Sequence, residues 1–317
     1  MKKIFLIGGG GFIGSNLVLN LQKKYKIIIC DNFSRNAIKN YKFLDNVQMI
    51  TLDILNANFV ELFKNHQPNI IIHLAAIAGV DNVLKNPVKT MEVNMIGTYL
   101  ILKAIVDSGI KINKFINFST SEVYGEYSYK LEEDKNTTLG TVDEARWSYS
   151  VSKLAGEHLC FSYFKQFKIP VISIRPFNIY GPNQVGEGAI QIFLKKCLKN
   201  DTIEIHGDGS QIRSWCYIDD AIDFIFKCIE SKKVIGQILN MGNPEGTITT
   251  IGLAKKIIDI TKSKSKIKFT ELKYSDIELR IPNINKAKKI LKYQPKVSLD
   301  DGLKRTFEWF KNAKENE

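Results

Sequence analysis

The feature that most constrains this 317-residue chain is the regular alternation, across its first half, of short apolar runs with amphipathic stretches. "KIFLI" (3–7), "KIIIC" (26–30), "VQMI" (47–50), "NIIIH" (69–73), "KFINF" (114–118) and "PVISI" (170–174) are apolar over most of their length. A strand wet on one face alternates apolar with polar residues, so a continuous run predicts a strand buried on both faces. Helical patterns at 12–23, 88–108 and 149–166 separate several of them. Strand, helix and strand in succession require crossover connections, which make the strands parallel and place helices over both faces of the sheet. The fold class expected is α/β with a doubly wound parallel sheet.

After about residue 176 the pattern loosens into shorter elements, glycine turns such as "HGDGSQ" (206–211) and late helical segments at 250–261 and 300–312. These predict a smaller mixed α/β C-terminal domain. The stretch from Trp215 to Asn243 reads as strand, helix and strand, and is expected to return to the main sheet. The division expected is 1–176 plus about 214–243 for a first domain, and about 177–213 plus 244–317 for a second.

Composition narrows the classes. No apolar run is long enough to span a bilayer, and "MKKIFLIGGGG" lacks the apolar length of a signal peptide, so a cytoplasmic protein with no membrane partner is expected. The five cysteines (Cys30, Cys160, Cys197, Cys216, Cys228) are scattered, which argues against disulfides or a zinc site and for a reducing compartment. The net charge of +12 suits acidic ligands. Its lysines are dispersed with no basic block interleaved with aromatics, so a solvated surface is expected rather than nucleic-acid binding.

Between the first run and the first helical pattern lies "GGGGFIGSNL", where Gly8, Gly11 and Gly14 are spaced G-x-x-G-x-x-G. Glycines there permit a tight turn and close approach of a ligand. The first-turn amides of the helix, at Phe12 and Ile13, then face an anion at the positive end of the helix dipole. A pyrophosphate fits. Asp31, at the end of the second run, is placed to accept hydrogen bonds from a ribose diol and to repel a 2′-phosphate. The expectation is a Rossmann-type sheet binding NAD, with Arg35 nearby as the one cation that could accommodate that phosphate.

Two further stretches carry chemistry. "FSTSEVYG" (118–125) follows the fifth run, at the edge of the sheet where ligands bind, and "RWSYSVSKLAGE" (146–157) holds Tyr149 and Lys153 four residues apart on one helical face. An ammonium near a phenol is expected to pull its pKa down from about 10. Such a tyrosine can take a hydroxyl proton while hydride leaves the same carbon. Lys153 could also hold the nicotinamide ribose, and Thr120 the reacting oxygen.

Taken together with "CDN" (30–32), "LDI" (52–54), "HLAA" (73–76), "VNMIGT" (93–98), "RPFNIYGPNQ" (175–184), "GDGSQIRSWCYIDD" (207–220) and "PNINKAKKILKYQPKVSLDDGL" (282–303), the chain resembles the extended short-chain dehydrogenase/reductases of the nucleotide-sugar epimerase/dehydratase family. The matching stretches run from Gly8 to about Phe310. The resemblance implies that Asp31 and Asn32 bind the adenosine ribose, Asp53 and Ile54 the adenine, and that Leu74, Ala75 and Ala76 line the cofactor cleft. It implies Thr120, Glu122, Tyr149 and Lys153 as catalytic residues. Ser121, Asn178, Arg213 and Arg280 are implied on the nucleotide-sugar side, with arginines suited to forked phosphate contacts. It also implies a homodimer through the helices around 90–107 and 149–166. One departure is Ile7, where relatives carry threonine.

His73 ends an apolar run and is read as structural. His66, His158 and His206 show no ligand-like spacing, so no metal is expected. Glu122 has two readings, a base for the hydrogen on C5 of the sugar or an acceptor that orients sugar hydroxyls. Oxidation at C4 by NAD is the shared first step implied for the family. The reaction expected is a 4-epimerase or 4,6-dehydratase, with a sugar-acid decarboxylase or a 4-dehydrogenase releasing the ketosugar as alternatives. Ser121 stands where the 4,6-dehydratases of deoxythymidine-diphosphate glucose usually have an acid; "TSE" followed by Tyr-Gly resembles the sugar-acid decarboxylases and the guanosine-diphosphate-mannose dehydratases, and "RWSYSVSK" resembles the decarboxylases. A non-catalytic NAD-binding regulator is the alternative of another class, and it would not need Thr120, Tyr149 and Lys153 together.

Overall fold

The structure, a computed structural model, describes residues 1–39, 41–186, 188–272 and 277–315. The large sheet is built from β1 (Lys3–Ile7), β2 (Lys26–Asp31), β3 (Val47–Thr51), β4 (Ile70–His73), β5 (Lys114–Phe118), β6 (Val171–Pro176) and β7 (Gln237–Met241). Among the described residues these seven strands lie in the order β7-β6-β5-β4-β1-β2-β3, every neighbouring pair parallel. Helices α1 (Phe12–Leu21), α2 (Phe59–His66), α3 (Gly97–Ser108), α4 (Ser148–Phe167) and α5 (Ile218–Glu230) make the principal crossovers.

The continuous apolar runs now have a physical cause. Side chains alternate across a strand, so β1 sends Ile4 and Leu6 into one core with Leu17, Leu21 and Phe224. Phe5 and Ile7 go into the opposite core with Phe63, Ile101 and Cys160. Each such fully buried side chain contributes roughly 1.5–3 kcal/mol, so both faces of the sheet demand apolar residues. β3 departs from this expectation. It is the edge strand, and Gln48, Met49 and Thr51 are exposed.

The expected helix at 88–108 is three pieces: a short helix Pro87–Met91, a π-turn Glu92–Ile96 and α3. Proline at the first helical position sets its start, since no amide is needed there. Downstream, β7 pairs with β6 in the register Gln237↔Ile172, so the chain returns to the large sheet after α5.

A smaller sheet has the order Thr247–Thr249, Ile212–Ser214, Leu279–Ile281, Tyr127–Tyr129. Its last strand comes from the segment directly after the Thr120–Glu122 turn, which ties that turn to both sheets. Its register sets Arg213 beside Arg280. The five cysteines are free and buried. Among the described residues no helix is long and apolar enough to cross a membrane, and no cluster of His, Cys, Asp or Glu is placed to hold a metal ion.

Candidate active site

The strand order reverses between β1 and β4, and their carboxyl ends diverge to leave a crevice. Gly8 closes β1 with φ +82°, and a Cβ added there would lie 2.2 Å from the Ala75 amide nitrogen. Gly14 is pressed against Gly9 in the same way, with an added Cβ 2.6 Å from its Cα. Gly11 differs: an added Cβ would meet nothing nearer than Gly8 O at 3.7 Å, so its open side is the crevice. It caps α1 without a side-chain bond, which leaves the first-turn amides without intrahelical acceptors. This glycine cradle with unsatisfied amides fits a pyrophosphate.

The crevice encloses about 490 Å³. It is lined by Gly8, Gly11, Phe12, Ile13 and Gly14 from the turn, and by Asp31 and Asn32 at the end of β2. Asp53 and Ile54 line it after β3, Leu74, Ala75 and Ala76 after β4, and Tyr149 and Lys153 from α4. All the residues assigned to a cofactor from sequence therefore meet in one place. Asp31 is oriented by two backbone amides, Gly10 N to Oδ2 and Phe33 N to Oδ1, both at 2.8 Å. Asp53 accepts from Leu55 N at 2.8 Å, and Asn32 is exposed and accepts from Ser34 N. Arg35 donates through Nη2 to Ala78 O at 2.9 Å, which engages this cation on the loop beyond β4. Gln184 and Val185 also line the crevice. Sequence reasoning missed them because nothing local marks a loop that folds back over the sheet edge.

Thr120 ends β5's extension, accepts from Glu122 N at 3.2 Å and hydrogen-bonds the Tyr149 phenol. The expected lowering of that phenol is not what this environment produces. Burial first, and the Glu122 charge second, push Tyr149 well above its ordinary value, and Thr120, Arg146 and Arg280 offset this only partly. Lys153 is itself buried and lowered to about 8, with Cys160 and Glu157 opposing. At Lys153 the folded state therefore holds less of a proton than the unfolded chain between pH 8 and 10.5, the ordinary lysine value, while the thiols of Cys30, Cys160, Cys216 and Cys228, raised by burial, keep theirs in the fold. The Lys153 contribution to stability should rise across that window, by on the order of 3 kcal/mol. The stability of the wild type minus that of Lys153→Met, from denaturation curves at both ends of the window, should show the rise.

His73 is buried, with Nε2 3.0 Å from Thr98 Oγ1. Thr98 gives its own proton to Asn94 O at 2.6 Å, so Nε2 of His73 donates. Burial, with the Lys153 charge, lowers it to about 3, and it stays neutral in its structural position.

On the far side of Tyr149 the turn Ser121–Tyr124 carries Glu122. Glu122 Oε2 lies 2.6 Å from Arg146 Nη1 and 3.4 Å from Ser150 Oγ. Burial alone would raise this carboxyl, but Arg146, Arg280 and Arg213 together hold it below its ordinary value. Arg280 is buried, with Nη2 donating to Gly125 O at 2.6 Å. Arg213 is half-buried and donates to Ile212 O. Ser121 is buried, while Asn178 donates through Nδ2 to Ser214 O at 3.1 Å, at the end of the strand Ile212–Ser214 of the smaller sheet. Ser121, Arg213 and Arg280 lie in or beside the turn, and none of these four substrate-side residues lines the cofactor crevice. Arg146 was not singled out from sequence, because an arginine on a turn before a helix reads as solvated surface.

The turn itself is braced from behind. Arg175 forks onto Glu157 through Nε at 2.9 Å and Nη2 at 2.7 Å, and its Cζ lies 4.7 Å from the centroid of the Tyr124 ring. Tyr124 Oη donates to Asn240 Oδ1 at 2.9 Å, and Asn240 N donates to Glu133 Oε1 at 2.8 Å.

Comparison with known proteins agrees with this geometry. The model of the NAD dependent epimerase/dehydratase family matches residues 4–242. The chain is 34% identical over 321 residues to UDP-N-acetyl-alpha-D-glucosaminuronate decarboxylase from Bacillus cytotoxicus, covering 98% of each. It is 37% identical over 281 residues to dTDP-D-glucose 4,6-dehydratase from Dictyostelium discoideum, covering 82% of this chain and 62% of that protein. Its structure superposes with a TM-score of 0.90, at 33% identity, on UDP-glucuronic acid 4-epimerase from Bacillus cereus in complex with UDP-glucuronic acid and NAD, covering 98% of this chain and 99% of that one. With this crevice, this turn and these relatives, the chain belongs to the NAD-dependent epimerase/dehydratase family and is an enzyme of the nucleotide-sugar-modifying, extended short-chain dehydrogenase/reductase type.

Proposed function

We propose that this enzyme oxidises C4 of a nucleoside-diphosphate hexuronic acid and then releases the C6 carboxylate as carbon dioxide. The observation that carries the reading is the Thr120–Ser121–Glu122 turn with Glu122 held ionised by Arg146 at 2.6 Å. Dehydration at C5 and C6 needs a base for the C5 hydrogen and an acid for the departing hydroxyl. Glu122 is a weakened base in this grip, and a serine hydroxyl at 121 is no acid near neutral pH. Decarboxylation needs neither group. Once C4 is a ketone, the electron pair of the C5–C6 bond moves toward that carbonyl as carbon dioxide departs, and C5 then takes a proton. The sequence reading set decarboxylation behind epimerisation and dehydration; the Arg146–Glu122 pair brings it ahead of dehydration, and the resemblance of "TSE" and "RWSYSVSK" to decarboxylases supports it beside epimerisation. Both the Bacillus cytotoxicus relative and the Bacillus cereus structure are named for sugar acids.

In this reading Tyr149 takes the proton of the C4 hydroxyl, Thr120 aligns the reacting oxygen, and Lys153 holds the nicotinamide ribose. NAD, when bound, accepts the hydride and brings the positive charge of its oxidised ring, which opposes the burial that keeps the phenol protonated. Asp31 and Asn32 hold its adenosine ribose, Asp53 and Ile54 its adenine. The large sheet carries the cofactor, and the smaller one holds the nucleotide sugar through Arg213 and Arg280, with Asn178 beyond β6 and Ser121 beside the sugar. The neighbouring helices α3 and α4 expose Tyr99, Val151 and Phe167, which supports pairing with a second copy as a homodimer. Five free thiols suit a reducing cytoplasm.

The test is to incubate the purified enzyme with UDP-glucuronate, UDP-N-acetylglucosaminuronate and UDP-glucose and read product masses. Loss of carbon dioxide from an acid is expected. Unchanged mass with inverted C4 would make the enzyme an epimerase, and loss of water from UDP-glucose a dehydratase.

A further inference from the structure

We infer that Arg146 is a positioning residue that decides which step follows C4 oxidation, by pinning Glu122 so that the carboxylate accepts from the sugar instead of removing its C5 proton. The inference rests on the C4 oxidation proposed above.

Arg146 is built for one position. It is 4% exposed and belongs to the turn Ala145–Trp147 that runs directly into α4, so its backbone is placed relative to Tyr149. Its guanidinium lies 5.7 Å from the centroid of the Trp147 ring. That indole donates to Glu144 Oε2 at 3.0 Å and is backed by Gly140, where an added Cβ would lie 2.0 Å from the indole nitrogen. Arg146 Nη1 and Ser150 Oγ then converge on the same oxygen, Oε2 of Glu122.

The charged and titratable groups facing Glu122 are Arg146 and Tyr149 from the α4 side, and Arg280 and Arg213 from the smaller sheet. Without Arg146, the largest opposition to burial is lost, and the more distant Arg280 and Arg213 remain. The carboxyl then moves up toward the range of a useful general base. For a 4-ketosugar the step is balanced: the C5–H bond breaks, its proton passes to the Glu122 carboxylate, and the electron pair delocalises onto the C4 oxygen as an enolate. Return of a solvent-derived proton to C5 completes an exchange.

The experiment uses the NAD-loaded enzyme with UDP-glucose, whose 6-hydroxyl offers no carboxylate to lose, in deuterium oxide. Formation of reduced nicotinamide is followed by absorbance, and deuterium at C5 of the recovered sugar by mass spectrometry. Arg146→Met should raise C5 deuterium per C4 oxidation roughly tenfold or more, with the pH midpoint of exchange shifted upward. Arg146→Lys, which keeps the cation, should stay close to the wild type. The double variant Arg146→Met with Glu122→Gln should lose the gain. A merely structural role for Arg146 lowers rates and produces no gain of exchange. Unchanged C5 exchange in a variant that still oxidises C4, or exchange that survives in the double variant, overturns the inference alone. A wild type that forms no reduced nicotinamide with this sugar or with the sugar acids overturns it together with the proposed C4 oxidation.

Discussion

Tyr149→Phe is expected to lose C4 oxidation by about 10²- to 10⁴-fold while NAD stays bound. The ring keeps its packing in this substitution, and only the oxygen that bonds Thr120 is lost. No other phenol lines the crevice among the described residues, and Lys153 cannot replace it as a base aligned with Thr120. The cofactor contacts expected of the glycine turn, Asp31 and Asp53 lie on other elements and are untouched. The measurement is single-turnover absorbance of reduced nicotinamide after adding the sugar acid, with bound NAD quantified separately in the same preparation. Turnover close to the wild type would remove Tyr149 from the role of proton acceptor.

Glu157→Leu is expected to destabilise the protein by about 3–5 kcal/mol. Both partners of its forked ion pair with Arg175 are 4% exposed, so removing the carboxylate strands a guanidinium in a place water cannot reach. Arg175 also donates through Nη1 to Glu133 O at 3.2 Å and lies against Tyr124, two residues beyond Glu122. Turnover should therefore fall along with stability. The denaturation midpoint at constant slope checks the first effect. Replacing both partners, Glu157→Leu with Arg175→Met, should cost much less, since no charge is left buried. A single variant that loses under about 1 kcal/mol would show that water or a neighbouring carbonyl compensates Arg175.

Much of the architecture was legible because it is encoded locally. The run 3–7, the glycine turn and the helix at 12–21 are contiguous, and each obeys the period of its own element. Tyr149 and Lys153 were legible as a pair because four residues on a helix always share a face. Misreadings arose where position in the fold overrides pattern. The run 47–50 looked like its buried neighbours, yet among the described residues no strand lies beyond it, and half its surface is wet. The segment 88–108 carries one helical pattern, but a π-turn at Glu92–Ile96 interrupts it.

What the sequence determined by itself is the frame: a parallel sheet with an anion-binding glycine turn, an acid after the second strand and a tyrosine–lysine pair after the fifth. These depend on short-range backbone geometry, which neighbouring residues dictate. What only the tertiary structure decided is the electrostatic character of the site. The Arg146 grip on Glu122 joins residues 24 apart, and Arg213 meets Arg280 through strand register. The Tyr149 phenol is raised rather than lowered because burial and distant charges act on it through space. A pKa sums fields from every element packed around a group, and no local pattern contains that sum.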